Sequence, residues 1–175
     1  MYKLYLTLLL ATSFCFSQNT PITNTNIQTA VRLWVSDPNS PKFTDTNHTP
    51  YFGHISDWDT SSVTSMTRIF SYLSYFNEDI GSWDVSNVTD MRNLFEDAVL
   101  FNQNLWNWQL NSEDVLVTDM FSGATAALAL GYNTTPSITQ DSNGIWRLSD
   151  VALNMFQPTT KAELQSAVNG WIDGT

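Results

Sequence analysis

The side chains that most often carry chemistry are sparse in this 175-residue chain. Its two histidines, His48 and His54, stand six residues apart in a stretch rich in Pro, Asn and Thr. They form no HExxH arrangement and have no cysteine or carboxylate at ligand spacing, so neither a metal nor a cofactor is expected. No Gly-x-Ser-x-Gly marks a nucleophile elbow, and no glycine-rich loop is present to cradle a phosphate. Asp57 and Asp59 could serve as a glycosidase-type pair, but Asp59 returns as Asp84 at a fixed interval, which reads as structural. Such an aspartate is expected to accept backbone N–H bonds in a turn. The acidic residues Asp57, Asp59, Asp79, Asp84 and Asp90 match no calcium loop. These residues do not predict an enzyme.

The interval itself is the main signal. Residues 55–79 (ISDWDTSSVTSMTRIFSYLSYFNED) and 80–104 (IGSWDVSNVTDMRNLFEDAVLFNQN) agree at ten of 25 positions. The identities include Trp58/Trp83, Asp59/Asp84, Met66/Met91, Phe70/Phe95, Phe76/Phe101 and Asn77/Asn102. A third, worn copy over 105–125 keeps Leu105, Trp108, Val117, Asp119, Met120, Phe121 and Ala124. Aligned on VTDM, it has extra residues near Ser112–Asp114 and lacks three between Met120 and Phe121. Within each copy Met66, Ile69, Phe70, Leu73 and Met91, Leu94, Phe95, Ala98 follow the i, i+3, i+4, i+7 spacing of a helix. Thr64 and Thr89 are placed to cap such helices, and Asp90 favours the positive end of its own. The F-N-x-x-I-x-x-W-D remainder suits a brief strand and turn. The fold class expected is therefore an α/β repeat: a short leucine-rich-repeat-like solenoid with one strand and one helix per 25-residue coil.

The flanking segments divide the rest. Residues 1–17 (MYKLYLTLLLATSFCFS) have the basic start, apolar run and small-residue end of a Sec-type signal peptide, with cleavage expected near Ser17. Cleavage there leaves no cysteine and hence no disulfide framework. The run is too short to span a membrane, and no later apolar stretch is long enough to do so. Residues 18–54 hold a leader in which Ile27, Ala30, Val31 and Trp34 form an amphipathic stripe, with Asn24 or Thr25 as its cap, suited to cover the open end of the repeats. Residues 126–157 lose the repeat but carry a DSNG turn, and thus an irregular or hairpin segment. In 158–175 the leader helix returns: Gln165, Ala167, Val168 and Trp171 match Gln28, Ala30, Val31 and Trp34. This predicts a second module beginning there, or a second use of the same helix as a C-terminal cap. The net charge of −10 disfavours nucleic acids and anionic membranes as partners.

The strings WDTSSVTSM, WDVSNVTDM, LFEDA and FNED/FNQN resemble a known 25-residue repeat. It is that of bacterial surface proteins grouped as BspA-like leucine-rich-repeat proteins, also met in Mycoplasma lipoproteins as a domain of unknown function. The likeness covers residues 51–125. It implies an exported, surface-associated solenoid, with adhesion or matrix-protein binding in some relatives and no enzymatic activity. By analogy with the asparagine of leucine-rich repeats, Asn77 and Asn102 are expected to point inward and satisfy backbone groups.

Residues that recur are scaffold; specificity should lie in those that change. Trp58, Trp83, Trp108, Asp59, Asp84, Met66, Met91, Phe70, Phe95, Asn77 and Asn102 fall in the first group. Between the recurrent apolar residue and tryptophan, the copies read Ser56-Asp57, Gly81-Ser82 and Trp106-Asn107, which predicts a ledge with Trp106, Asn107, Asp57 and Ser82 as binding candidates. The expected function is a secreted or cell-surface, non-enzymatic protein that binds a protein ligand at a cell surface or matrix through the repeat face. The alternatives are a carbohydrate-binding module using exposed aromatics such as Trp106 and Tyr75, or a spacer with no ligand.

Overall fold

The computed structural model describes residues 20–45 and 52–149. The signal peptide, the second leader copy at 158–175 and His48 lie outside the described residues. The leader stripe forms helix α1, Ile27–Ser36, whose Ile27, Ala30, Val31 and Trp34 are buried. Neither Asn24 nor Thr25 caps it. Asn24 instead reaches the first repeat copy, its Oδ1 accepting from the amides of Thr64 (2.9 Å) and Ser65 (3.2 Å). The Ile22 amide also donates to the carbonyl of Asp59. A four-residue helix α2, Pro41–Thr44, starts on proline and buries Phe43 against Trp34, ring centroids 5.1 Å apart.

The expected α/β leucine-rich-repeat-like solenoid is not what forms. The described residues hold three α-helices and a single two-stranded antiparallel sheet, and neither a helix nor a strand lies within 58–124. The reason is in the backbone. Two left-handed residues fall in each copy: Arg68, Asn93 and Asp119 (φ 58°, 56° and 55°), then Tyr72, Asp97 and Gly123 (φ 63°, 54° and 71°). A helix cannot continue through them. The amides of Ile69, Ser71, Leu73 and Phe76 each close a single turn onto the carbonyl three residues back. The alternating amides of Met66, Arg68, Phe70 and Tyr72 leave the copy and donate to Asp90, Arg92, Leu94 and Glu96 of the next. A chain of turns thus buries Met66, Ile69 and Phe70 on the spacing read as helical. Thr64 and Thr89 cap nothing; the Thr89 hydroxyl donates to the Thr64 carbonyl. Asp90 pairs with Arg92 at 2.7 Å. The expected strand is also a turn, the 3-10 turn Ile55–Asp57 in the first copy.

The third copy aligns differently from its VTDM string. The amides of Met91, Asn93, Phe95 and Asp97 donate to Leu116, Thr118, Met120 and Ser122, so Val117 stands where Met91 does and Met120 where Leu94 does. No residues are missing between Met120 and Phe121. Phe121 stacks on Phe95 at 5.3 Å, as Phe95 stacks on Phe70 at 5.3 Å. Ring contact at the core fixes the register, whatever the VTDM string. The pair Phe95–Phe101 (3.9 Å) has its counterpart in Phe121–Tyr132 (4.6 Å), with helix α3, Thr125–Ala129, inserted between.

The core is an aromatic file running from Trp34 and Phe43 through Trp58, Trp83, Phe70 and Phe95 to Phe121 and Tyr132. Beyond it, the Phe121 amide donates to the Thr134 carbonyl and the Asp119 amide to the Thr135 hydroxyl, which occupies two of the outgoing amides of the third copy. The hairpin β1 (Ser137–Gln140) and β2 (Trp146–Ser149) then closes on Leu110, whose amide donates to Trp146. The DSNG turn is held by the Asp141 carboxylate, which accepts from the amides of Asn143 (2.8 Å) and Ile145 (3.0 Å).

Candidate binding surfaces

The recurrent aspartates serve turns. Asp59 Oδ1 accepts from the Ser61 hydroxyl (2.6 Å) and amide (3.1 Å), and Asp84 does the same with Ser86 (2.6 and 2.9 Å). These Asp-x-Ser turns are why W-D-x-S recurs. The Ser61 hydroxyl, then its amide, hold the Asp59 carboxyl below its ordinary range. Arg92, through its hydrogen bond first, lowers Asp90 in the same way. Tryptophan Nε1 atoms reach the preceding copy: Trp83 donates to Ile55 (2.8 Å) and Trp108 to Ile80 (3.0 Å). Asn77 and Asn102 do not point inward; both are exposed. Asn77 Oδ1 accepts from the Asn102 amide at 2.9 Å, tying two copies together at the surface.

The four binding candidates separate. Ser82 and Asn107 meet in a polar groove of about 330 Å³, together with Asp84, Ser86 and Gln109. The Ser82 hydroxyl is already committed to the Ser56 carbonyl at 2.6 Å. Asp57 is exposed in the turn before Trp58, away from the groove lining, and accepts from the Ser56 hydroxyl at 3.2 Å. Trp106 is half-buried, and the Arg147 guanidinium lies 5.3 Å from its ring centroid. Arg147 also donates to the Trp106 carbonyl (2.7 Å) and to Asp141 Oδ2 (2.8 Å). One face of the indole is therefore taken by the closing hairpin.

The histidine that is described is likewise engaged. His54 Nδ1 accepts from the Ser56 amide at 3.3 Å, and its ring meets Trp34 edge-on at 4.6 Å. Among the described residues no three His, Cys, Asp or Glu side chains are grouped to hold a metal ion.

A second surface lies on the opposite joint of the copies, around the turns before Phe76 and Phe101. Tyr75 is 87% and Tyr72 64% exposed, and with Val35, Leu73 and Ser74 they line a hollow of about 270 Å³. Val35 arrives there from the outer side of α1. Val99 and Leu100, also exposed, continue the strip: they occupy the places of Ser74 and Tyr75 one copy on, and the Leu100 amide donates to the Ser74 carbonyl. Of this edge, sequence reading singled out only Tyr75. The available signal was a run of apolar residues between two recurrent phenylalanines, at positions with no scaffold duty.

Turn-built copies in register on an aromatic file, with two candidate surfaces among the described residues, define the architecture. Residues 39–133 match the family described as "Mycoplasma protein of unknown function, DUF285". The match spans more than half of the chain, and the chain belongs to that family. No curated protein and no solved structure matches it. Among the described residues, no helix is long and apolar enough to cross a membrane.

Proposed function

We propose that this chain is a non-enzymatic, exported or cell-surface protein that docks a partner protein on the edge formed by Val35, Tyr72, Tyr75, Val99 and Leu100. The observation that carries the reading is the placement of exposed apolar bulk: five of the six large apolar side chains exposed among the described residues lie on this edge. An apolar patch rimmed by polar groups suits protein association, and tyrosine is a frequent anchor in such contacts. The apolar run at the N-terminus supports export. The W-D-x-S-x-V-T-x-M strings support kinship with BspA-like surface proteins, and the net charge of −10 disfavours nucleic acid.

The expected binding face thereby moves from the Trp106 ledge to the tyrosine edge. A second reading, a carbohydrate-binding module, is favoured by the 87% exposure of Tyr75. It loses support at Trp106, where Arg147 occupies the ring. Parallel arrays of extracellular-matrix proteins and of glycans separate the readings. Saturable binding to a matrix protein that is lost in Tyr72→Gly/Tyr75→Ser supports protein docking. Saturable glycan binding lost in the same variant replaces it with the carbohydrate reading, and a chain that binds neither array leaves a spacer.

A further inference from the structure

The polar groove of about 330 Å³ is a concave surface whose lining keeps the period of the stack. Ser82 and Asn107 hold one place in successive copies, and Asp84 and Gln109 hold the place two residues on. Among the described residues the Asn107 and Gln109 carboxamides make no hydrogen bond, and the Asp84 carboxylate uses only Oδ1, on the Ser86 hydroxyl and amide. Ser82 donates to the Ser56 carbonyl and Ser86 to Asp84, which leaves both hydroxyl oxygens free to accept. Beneath these groups lie the buried Trp83 and Val85.

Independently of the docking edge, we infer that this groove binds an extended, neutral glycan running along the stack, one sugar ring to each copy. The lining itself selects that ligand. A sugar hydroxyl both donates and accepts, and here two carboxamides that do both stand beside a carboxylate oxygen and two hydroxyl oxygens that accept. Asp84 is the only charged group of the lining, and its counterpart one copy back is Asp59. Arg147, bonded to the Trp106 carbonyl beside Asn107, is held by Asp141. This balance disfavours phosphate, sulfate and uronic acids. None of the large apolar side chains exposed among the described residues lies on the lining, so a protein hot spot finds no counterpart there. Spacing agrees. The Phe70–Phe95 and Phe95–Phe121 rings are both 5.3 Å apart and within 3° and 7° of parallel, so the copies follow one another by translation. That step is close to the rise of one ring in an extended β-linked glycan, and neighbouring copies meet neighbouring rings. The volume falls at the lower end of the range for small-ligand sites, roughly 300–1,000 Å³.

Isothermal titration of the full chain with short linear oligosaccharides of glucose, of mannose and of N-acetylglucosamine, and with heparin, tests this. Saturable binding of at least one neutral series is expected, little changed by salt and weakened about tenfold in Asn107→Ala and in Gln109→Ala. Gln109→Glu, which keeps the shape and loses the donors, should weaken it as well. Asn107 and Gln109 are exposed, so each variant should melt with the wild type. Tyr72→Gly/Tyr75→Ser should bind the same oligosaccharide as the wild type does. The inference is overturned by no binding of any neutral series, by binding that ignores the Asn107 and Gln109 substitutions, or by a preference for heparin. Binding lost in the tyrosine variant, or weakening confined to variants that melt below the wild type, overturns it too.

Discussion

The indole Nε1 of Trp83 donates to the carbonyl of Ile55, 28 residues earlier, at 2.8 Å, and both residues are buried. Trp108 repeats the bond to Ile80. Each tryptophan therefore does two jobs: it fills the core, and it adds a second donor to a turn carbonyl of the preceding copy. Trp83→Phe keeps most of the ring and removes the donor. It should cost about 1 kcal/mol for the lost bond, since the Ile55 carbonyl keeps only the long 3.4 Å bond from the Trp58 amide, read as a shift in the urea midpoint at constant slope. A midpoint equal to that of the wild type would mean that the bond contributes nothing to holding the copies together.

The exposed asparagines make a sharper pair. Asn77 Oδ1 accepts the Asn102 amide, whereas among the described residues the Asn102 carboxamide bonds only to the Gln103 side chain, at 3.3 Å. Asn77→Leu should therefore destabilise by about 1 kcal/mol. Asn102→Leu should stay within about 0.5 kcal/mol of the wild type, as an exposed substitution does. Equal losses in thermal melts of the two variants would restore the inward orientation expected from leucine-rich repeats.

Gly81 is a position where space, not backbone conformation, demands glycine. A Cβ there would lie 2.8 Å from the carbonyl oxygen of Asn104, the last residue of the same copy. Gly81→Ala should cost about 1–3 kcal/mol, since a backbone atom must move to admit the methyl. At Gly144, with φ +78° and open space within 4 Å of an added methyl, alanine should cost only the left-handed penalty of about 1 kcal/mol. Denaturant titrations of the two variants give the difference.

Acid should loosen the turns. Asp59, Asp90 and Asp141 are lowered below their ordinary value of 3.8, chiefly by the Ser61 hydroxyl, Arg92 and Arg147 respectively. A carboxyl with a depressed folded-state pKa adds stability that is fully present above the unfolded value. That stability is lost as pH falls through the folded one. Melting temperature should hold between neutrality and about pH 5 and decline below about pH 4. Removing the hydroxyl in Ser61→Ala should raise the Asp59 carboxyl titration seen by NMR, while Asp141 titrates as before.

Parts of this arrangement were legible in the residues and parts were not, for physical reasons. Asp59 and Asp84 could be read as turn acceptors because an Asp-x-Ser turn is a local bond between near neighbours. Met66, Ile69 and Phe70 suggested a helix because burial at i, i+3 and i+4 does not distinguish one helix from successive three-residue turns. Asn93 and Asp97 carried the hint of left-handed backbone, but Arg68 and Tyr72 at the same places concealed it. The third copy misled through VTDM, whose buried Val117 and Met120 take the places of Met91 and Leu94, when Phe121 against Phe95 sets the register. Trp106 looked open because nothing in its own neighbourhood announces Arg147, which reaches it from 41 residues away. The tyrosine edge depends on α1 delivering Val35 beside Tyr72, a long-range meeting that no local pattern encodes.

Hydrogen exchange of the chain, free and mixed with a matrix protein scored positive in the array, tests the docking edge most directly. The account predicts new protection at residues 71–76 and 99–100, with the groove around Ser82, Asn107 and Gln109 exchanging as in the free chain. Protection confined to that groove, with the tyrosine edge unchanged, would contradict it.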